Sequence, residues 1–472
     1  MSGLGIMGTM EMARNAMQTA RQGAEIAGHN LANAANPIYA RQRIKIASSV
    51  AIPTDKGPQG SGSEVARLEQ IRDYAIDKAL VSEKSITKYL EAKQRQLRRA
   101  EASLGQTLDR QSIDAGESYG SYGVAEGLSG LFNSFQSLSA SPTSTAERQT
   151  VVFNAQKLAD KMNIVDRRLS DLRSSINDEV KDEIDNVNAK IESVSILASS
   201  IGNTKIVEGE ANEIRDAMQA SLEELSEYVN ITTTTNEDGK LSLFVDGYEM
   251  VTNNAMTGSV KLHTDSNGMH FVAATKSGDV ISLKSGSVKG LVDVRDGSIK
   301  DLQGQLNTLA SNLITEVNAL HQTGFDLSAN DDSSLTFFTG TNASDIGVNS
   351  TIISDPRKLQ AASTGETGNN SVIRAMANMG DISISGLSNM SFSEYYGNTV
   401  SRFGQDIALT NTQLIDQQSV QTMLEKQRDS VQGVSIDEEV ANLIIYQRAF
   451  QASARLITVM DTLMEDILNL QR

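Results

Sequence analysis

Three glycines, Gly3, Gly5 and Gly8, carry the G-x-G-x-x-G spacing that lets a backbone close on a pyrophosphate. That chemistry needs a strand before the glycines and a phosphate-facing helix after them, inside a βαβ unit. No strand precedes them here, so a nucleotide site is set aside. Asp437, Glu438 and Glu439 form a run of carboxylates resembling a metal cluster. Acids in the first turn of a helix complement its dipole, with Ser435 as N-cap, and that explains the run without a metal. The four histidines, His29, His263, His270 and His321, show no ligand spacing, and cysteine is absent. No disulfide, thiolate site or cysteine nucleophile is therefore possible. P-loop, H-E-x-x-H and G-x-S-x-G motifs are all missing. Neither catalytic residues nor a cofactor or metal are expected, and the chain does not read as an enzyme.

The elements that carry these residues are more informative than the residues themselves. The 472 residues hold 59 acidic and 42 basic side chains, a formal charge of −17. A nucleic-acid binder needs a basic footprint, so nucleic acid is not an expected partner. Aromatic residues make up only 4% and there are five prolines, which favours long helices over an aromatic enzyme core. No apolar run is long enough to span a bilayer, and no ordinary secretory signal opens the chain. Membrane insertion is not expected.

From Val434 to Leu470, Ile436, Val440, Leu443, Phe450, Ala454, Ile457, Met464 and Leu468 recur in steps of three and four. Gln447 and Asp461 fill two slots of that stripe. A second row, Ala449, Ala452, Leu456, Val459, Leu463, Ile467 and Leu470, lies beside it. The stripe is too broad for a helix with one partner. Near the other end, Ala13, Met17, Ala20, Ala24, Ala27 and Leu31 predict a second amphipathic helix over about 4–33, ended by Pro37.

Between these ends, 48–63 reads as a Gly/Ser/Pro-rich linker and 65–104 as a helix. Residues 116–130 read as a loop before a short helix at 131–138. Ser144 and Glu147 fit a capping box. From Val152 to Ile201 apolar residues keep helical steps, a rod of roughly 80 Å ended by Gly202. A helix follows over 211–229. Asp238-Gly239, Asp246-Gly247, Asn267-Gly268 and Gly278-Asp279 punctuate alternating runs in 230–288, which predict an antiparallel β module. Helix resumes through 289–322, irregular and β structure fills 323–395, and helix returns over about 394–431. The expected class is mainly α with a smaller antiparallel β part (α+β). The expected division is a terminal coiled-coil domain (1–62 plus 396–472), a long-helix rod (63–229 plus 289–322), the β module (230–288) and an irregular domain (323–395).

Asn30-Leu31-Ala32-Asn33, then Pro37, Tyr39, Arg41 and Gln42, resemble the N-terminal motif of bacterial flagellar axial proteins, which are rod, hook and hook-associated proteins. A glycine usual after the proline is Ile38 here. Glu438, Glu439, Asn442, Leu443, Gln447, Ala449, Gln451 and Ala452 are similar to the C-terminal signature of the same family, with Phe450 where many relatives carry Tyr. Gly290 to Asp293, Arg295-Asp296, His321 to Leu327 and Arg215-Asp216 are similar to the hook-associated branch. The resemblance implies a structural, non-enzymatic protein exported through the flagellar type III apparatus. It implies terminal helices that are largely disordered in the monomer and order on assembly. The implied location is the flagellum at the hook–filament junction, after a cytoplasmic stage. The implied partners are other copies of the chain, hook protein, a second junction protein and an export chaperone at the C-terminal helix. Asn30, Leu31, Ala32, Asn33, Pro37, Tyr39, Arg41, Gln42, Glu438, Glu439, Asn442, Leu443, Gln447, Phe450, Gln451 and Ala452, with Ile457, Met464 and Leu468, are the expected axial assembly interface. Alternatives are another axial protein of hook or distal rod type, an intracellular coiled-coil scaffold, and an associated muralytic enzyme.

Overall fold

A computed structural model describes residues 5–54, 57–105, 123–203, 211–237, 239–366 and 368–470. The chain opens with helix α1 (Ile6–Ala32), capped by Gly5. Gly8 lies in its first turn, and Gly3 falls outside the described residues. The stretch expected as a linker is instead a ribbon. Strand β1 (Gln42–Ser48) pairs antiparallel with β4 (Ser63–Gln70), and β2 (Ala51–Thr54) with β3 (Gly57–Gly60). Gly57 and Gly62 take left-handed φ of 103° and 108°, so these glycines serve turns of the ribbon. The ribbon crosses the domain border expected after residue 62. It also moves the next helix. Val65 to Gln70 is strand, and α2 (Tyr74–Ser103) begins behind Asp73, whose carboxylate accepts from the amides of Ala75 and Ile76.

Helix α3 (Val124–Ala140) starts seven residues before the helix expected at 131. Ser144 accepts from the amide of Glu147 at the head of α4 (Thr145–Asn203). Every apolar position expected inward from Val152 to Ala198 is buried. At 1.5 Å per residue α4 is about 90 Å long, and it passes through Gly202 to Asn203. Helix α5 (Asn212–Tyr228) packs back along it.

The β module is β5 (Ile231–Thr235), β6 (Leu241–Val245), β7 (Tyr248–Thr252), β8 (Ala255–Met256), β9 (Val260–Thr264) and β10 (His270–Ala274). The first four form one antiparallel sheet and the last two a ribbon. Asp246 and Gly247 turn the β6–β7 hairpin with positive φ at both residues. Asparagines of α4 dock the module as if they were strand peptides. Asn188 donates to the Val260 carbonyl and accepts from the Val260 amide. Asn177 does the same for Gly268 and His270.

Helix α6 (Ser287–Asp293), a π-helical turn at Val294–Ser298 and α7 (Ile299–His321) return to the bundle. The π turn places the fully buried Arg295 against Asn177, the His270 carbonyl and Asp296, over the Phe271 ring. Residues 323–391 hold more helix than expected. Besides the short pair β11 (Phe338–Thr339) and β12 (Gly347–Val348) they contain α8 (Ser350–Ser354) and α9 (Ser371–Asn378). Phe132, Phe135, Phe337 and Phe392 seat this segment on α3 through ring contacts near 6 Å.

Helix α10 (Phe392–Gln432) begins with a complete capping box between Ser391 and Glu394. It packs on α2 and α7, not with the terminal helices, so 396–432 lies against the rod and not in the terminal pair. After Gly433 the chain turns into α11 (Ile436–Leu470). No described helix is long and apolar enough to cross a membrane.

Candidate assembly interface

Helix α1 meets α11 through small side chains. Ala13, Ala20, Gly23 and Ala27 are buried, which brings the two backbones close. The Tyr446 ring lies directly over Gly23. A Cβ at that position would come within 2.5 Å of it. Among the described residues, α1 is the only helix packed along α11. Such a seam buries little apolar area per turn, so it stabilises the pair weakly. The far side of α11 stays in solvent with Ile436, Val440, Ile444, Ile445, Val459 and Leu463 exposed, Ile445 to 61%.

The N-terminal motif closes the base of this pair. Asn30 is 1% exposed, and its amide saturates three bonds. It donates to the Gln42 carbonyl at 2.8 Å and accepts from the Gln42 amide at 3.0 Å and from the Tyr39 hydroxyl at 2.7 Å. Burial raises the Tyr39 pKa, so the hydroxyl stays a donor. The strap between Asn33 and Gln42 is thereby folded onto the end of α1. Arg41 then joins the two chain ends. Its Nη1 meets Glu438 at 2.7 Å, and Nη2 and Nε meet Glu439 at 2.6 and 2.7 Å. Its amide donates to the Gln432 carbonyl, and its carbonyl accepts from the Ile71 amide. Burial disfavours the Arg41 charge, but the two glutamates outweigh it and raise its pKa. A polar cleft of about 430 Å³ opens between strap and elbow, lined by Asn33, Asn36, Tyr39, Arg41, Arg428 and Glu438 among others.

Below the strap lies a buried ionic joint. Arg72 pairs with Asp216 and Asp77. Glu223 takes Lys84 at 2.6 Å and Arg428 at 2.9 Å, and Gln432 donates to Asp77. Burial pushes Asp216 up to about 6 against the pull of Arg72. Glu223 is also buried, yet Lys84 and Arg428 hold its carboxyl below the usual range. The joint ties α2, α5 and the end of α10 together where the terminal pair leaves the rod. Among the described residues no group of three His, Asp or Glu is placed to hold a metal ion.

Comparison with known proteins finds relatives of this chain. The family model described as flagellar hook-associated protein FlgK helical domain matches residues 112–338. That for the flagellar basal body rod FlgEFG protein C-terminal matches 427–470. Together they cover more than half of the chain. Flagellar hook-associated protein 1 of Bacillus subtilis (strain 168) is 23% identical, over 98% of this chain and 97% of its own length. The chain is similar to flagellar hook-associated proteins over nearly its whole length. A relative of the same description in Escherichia coli (strain K12) is 21% identical over 98% of both chains. The structure of the flagellar hook junction protein FlgK from Burkholderia pseudomallei is also similar, with 20% identity and a TM-score of 0.47. That match covers 56% of this chain and 46% of the other. The C-terminal model is described for basal body rod proteins and the helical-domain model for a hook-associated protein.

In this chain the expected interface residues divide by burial. Asn30, Tyr39, Gln42 and Glu439 are buried, and Arg41, Asn33, Asn442, Leu443, Ile457 and Met464 are half-buried against α1 or the strap. Leu31, Ala32, Pro37, Glu438, Gln447, Phe450, Gln451, Ala452 and Leu468 face solvent. The face of α11 turned to α1 runs through Glu439, Asn442, Tyr446, Ser453, Ile457, Met460 and Met464. It is rotated from the stripe read in the sequence, because Tyr446 seeks the gap at Gly23. Gln447 and Asp461 therefore lie outside the seam. Sequence reasoning missed Tyr446, Gly23 and the joint residues Arg72, Glu223 and Arg428, and it named Asp216 for its resemblance without its ionic partners. A glycine within an alanine-rich helical seam was the one available signal for the first two.

Proposed function

We propose that this chain is a structural, non-enzymatic subunit of the bacterial flagellum that joins hook to filament through its α1/α11 pair. The observation that carries this is the state of α11. One side packs on the small-residue seam of α1, while the other exposes a long apolar row that a solvated helix of an acidic chain does not need. Neighbouring copies, hook protein and a second junction protein cover that row in the assembled structure. The expected interface is Asn30 to Asn33, Pro37, Tyr39, Arg41 and Gln42 with Glu438, Glu439, Asn442, Leu443, Gln447, Phe450 to Ala452, Ile457, Met464 and Leu468. Its buried members shape the pair and its exposed members meet neighbours. The weak seam also suits type III export, because an unpaired α11 is available to an export chaperone before secretion.

A strain lacking the gene is expected to carry hooks without filaments and to shed filament protein into the medium. Filaments of normal length on that strain would overturn the junction role.

A further inference from the structure

The buried joint between rod and strap contains two carboxylate clusters of opposite charge balance. In one, Glu223 of α5 faces two cations, Lys84 of α2 and Arg428 of α10. In the other, Asp216 of α5 and Asp77 of α2 share a single cation, Arg72, at its Nη2 and Nη1. Asp216 and Asp77 are 7% and 3% exposed. The aspartate half is therefore one positive charge short, and little water reaches it to screen the excess. It is short of donors too. Among the described residues, Gln70 Oε1 and Asp77 Oδ2 are buried without a hydrogen-bond partner, and Asp77 Oδ2 stands 3.5 Å from Arg72 Nη1. A proton on this carboxylate pair removes the excess charge and turns one acceptor into a donor.

The two halves also tie different parts together. Gln70, at the end of β4, donates to Asp216 at 2.6 Å, and the Ala40 amide of the strap favours the same carboxylate. Asp216 thus fastens the rod to the strap and ribbon that bear the terminal pair. Glu223 fastens rod helices to one another. The other ionisable groups around the aspartates are Tyr39 of the strap, Glu213 and Arg215 of α5, and Glu223 and Arg428 beside Asp77. His29 of α1 makes a separate contact with the rod, to Glu213 at 3.0 Å.

We propose that the strap and ribbon dock on the rod with uptake of one proton by the Asp77–Asp216 pair, so that acid tightens this elbow and alkali loosens it. Burial is the largest influence on both aspartates and pushes both up, Asp216 from 3.8 to about 6. The docked state therefore holds a proton that the undocked, hydrated pair releases. Docking strengthens as pH falls through 6, and the gain is complete near 3.8. Glu223 has the opposite sign. Its carboxyl lies below the usual range, so its contacts between rod helices persist through that window. The elbow responds within a single subunit, independently of the junction role.

The test is amide exchange of the purified full chain at about pH 7.5 and about pH 5, corrected for the intrinsic rate at each pH. The reporters are the Arg41 amide, which donates to the Gln432 carbonyl, and the Ile71 amide, which donates to the Arg41 carbonyl. Amides of α7 report whether each variant is folded. In the natural chain, protection of both reporters is expected to rise about ten-fold from the higher pH to the lower. Asp216→Asn is neutral at both, so its protection should already be high at the higher pH and change by less than about two-fold. His29→Gln should keep the ten-fold rise. Lower protection in Asp216→Asn than in the natural chain at the higher pH, with α7 intact, would overturn the proposal in favour of an ordinary ion pair with Arg72. A rise that disappears in His29→Gln would overturn it too, because the proton would then belong to the His29–Glu213 contact. Protection in the natural chain that is flat with pH, or absent at both values, would overturn it without recourse to any variant.

Discussion

At the residue scale, the two end motifs form one clasp. Arg41 and Glu438 lie 397 residues apart in sequence and 2.7 Å apart in space. Both stood out in the sequence, each in its own end motif, but their partnership did not, because a charge motif does not name its counter-ion. Tyr446 was invisible for a related reason. Its place is set by the absence of a side chain at Gly23, on another helix. Gly23→Ala is expected to destabilise the α1/α11 pair by about 1–3 kcal/mol through overpacking, seen as faster amide exchange in α11. Adding Tyr446→Leu should restore much of it, and a double mutant no better than the single one would show that the ring is not the obstacle. His321 provides a pH test. It is fully buried, its Nδ1 donates to the Leu335 carbonyl and its Nε2 accepts from the Gln360 amide. Burial lowers its pKa from 6.5 to about 4. The folded state therefore takes up a proton less readily than the unfolded one. Stability from this group is complete above 6.5 and is lost as pH falls towards 4, by ~3 kcal/mol in all. Thermal melts between those pH values should fall more steeply for the natural chain than for His321→Gln.

At the scale of elements, the long helices were legible and the ribbon was not. The apolar steps of α4 hold from Val152 to Ala198 without a break, and such a run permits one period only. The Gly, Pro and Ser of 48–63 conceal a ribbon whose strands alternate briefly and whose hydrogen bonds, not its side chains, define it. A two-stranded ribbon is marginal alone, and this one leans on α1 through Thr19, whose hydroxyl donates to the Ser63 carbonyl. The α4 asparagines were also overlooked, because Asn on a rod helix reads as solvated. Asn188 instead pairs both ways with Val260. Asn188→Ala is expected to cost about 1–2 kcal/mol and to speed exchange at the Val260 amide and its β9–β10 neighbours, with α2 and α7 unchanged. Unaltered exchange at Val260 would show that the module is held by its apolar contacts alone.

At the scale of the whole molecule, a rod with a continuous core ends in a helix pair whose core is thin and whose outside is apolar. Both features follow from one choice of residues, alanine and glycine inside α1 and isoleucine and valine outside α11. The arrangement is poorly stable alone and well suited to completion by neighbours. The breadth of the α11 stripe was legible in the sequence, and it already implied several partners. Which residues face the partner within the chain was not, since the inward face is chosen by the shape of α1. The chain has no cysteine, so one introduced thiol reports on a single place. The most direct measurement is maleimide labelling of Ile445→Cys in the purified monomer and in isolated hook–filament particles. The thiol is expected to react readily in the monomer and to be protected in the particles. Equal labelling in both would contradict the claim that neighbouring subunits cover α11.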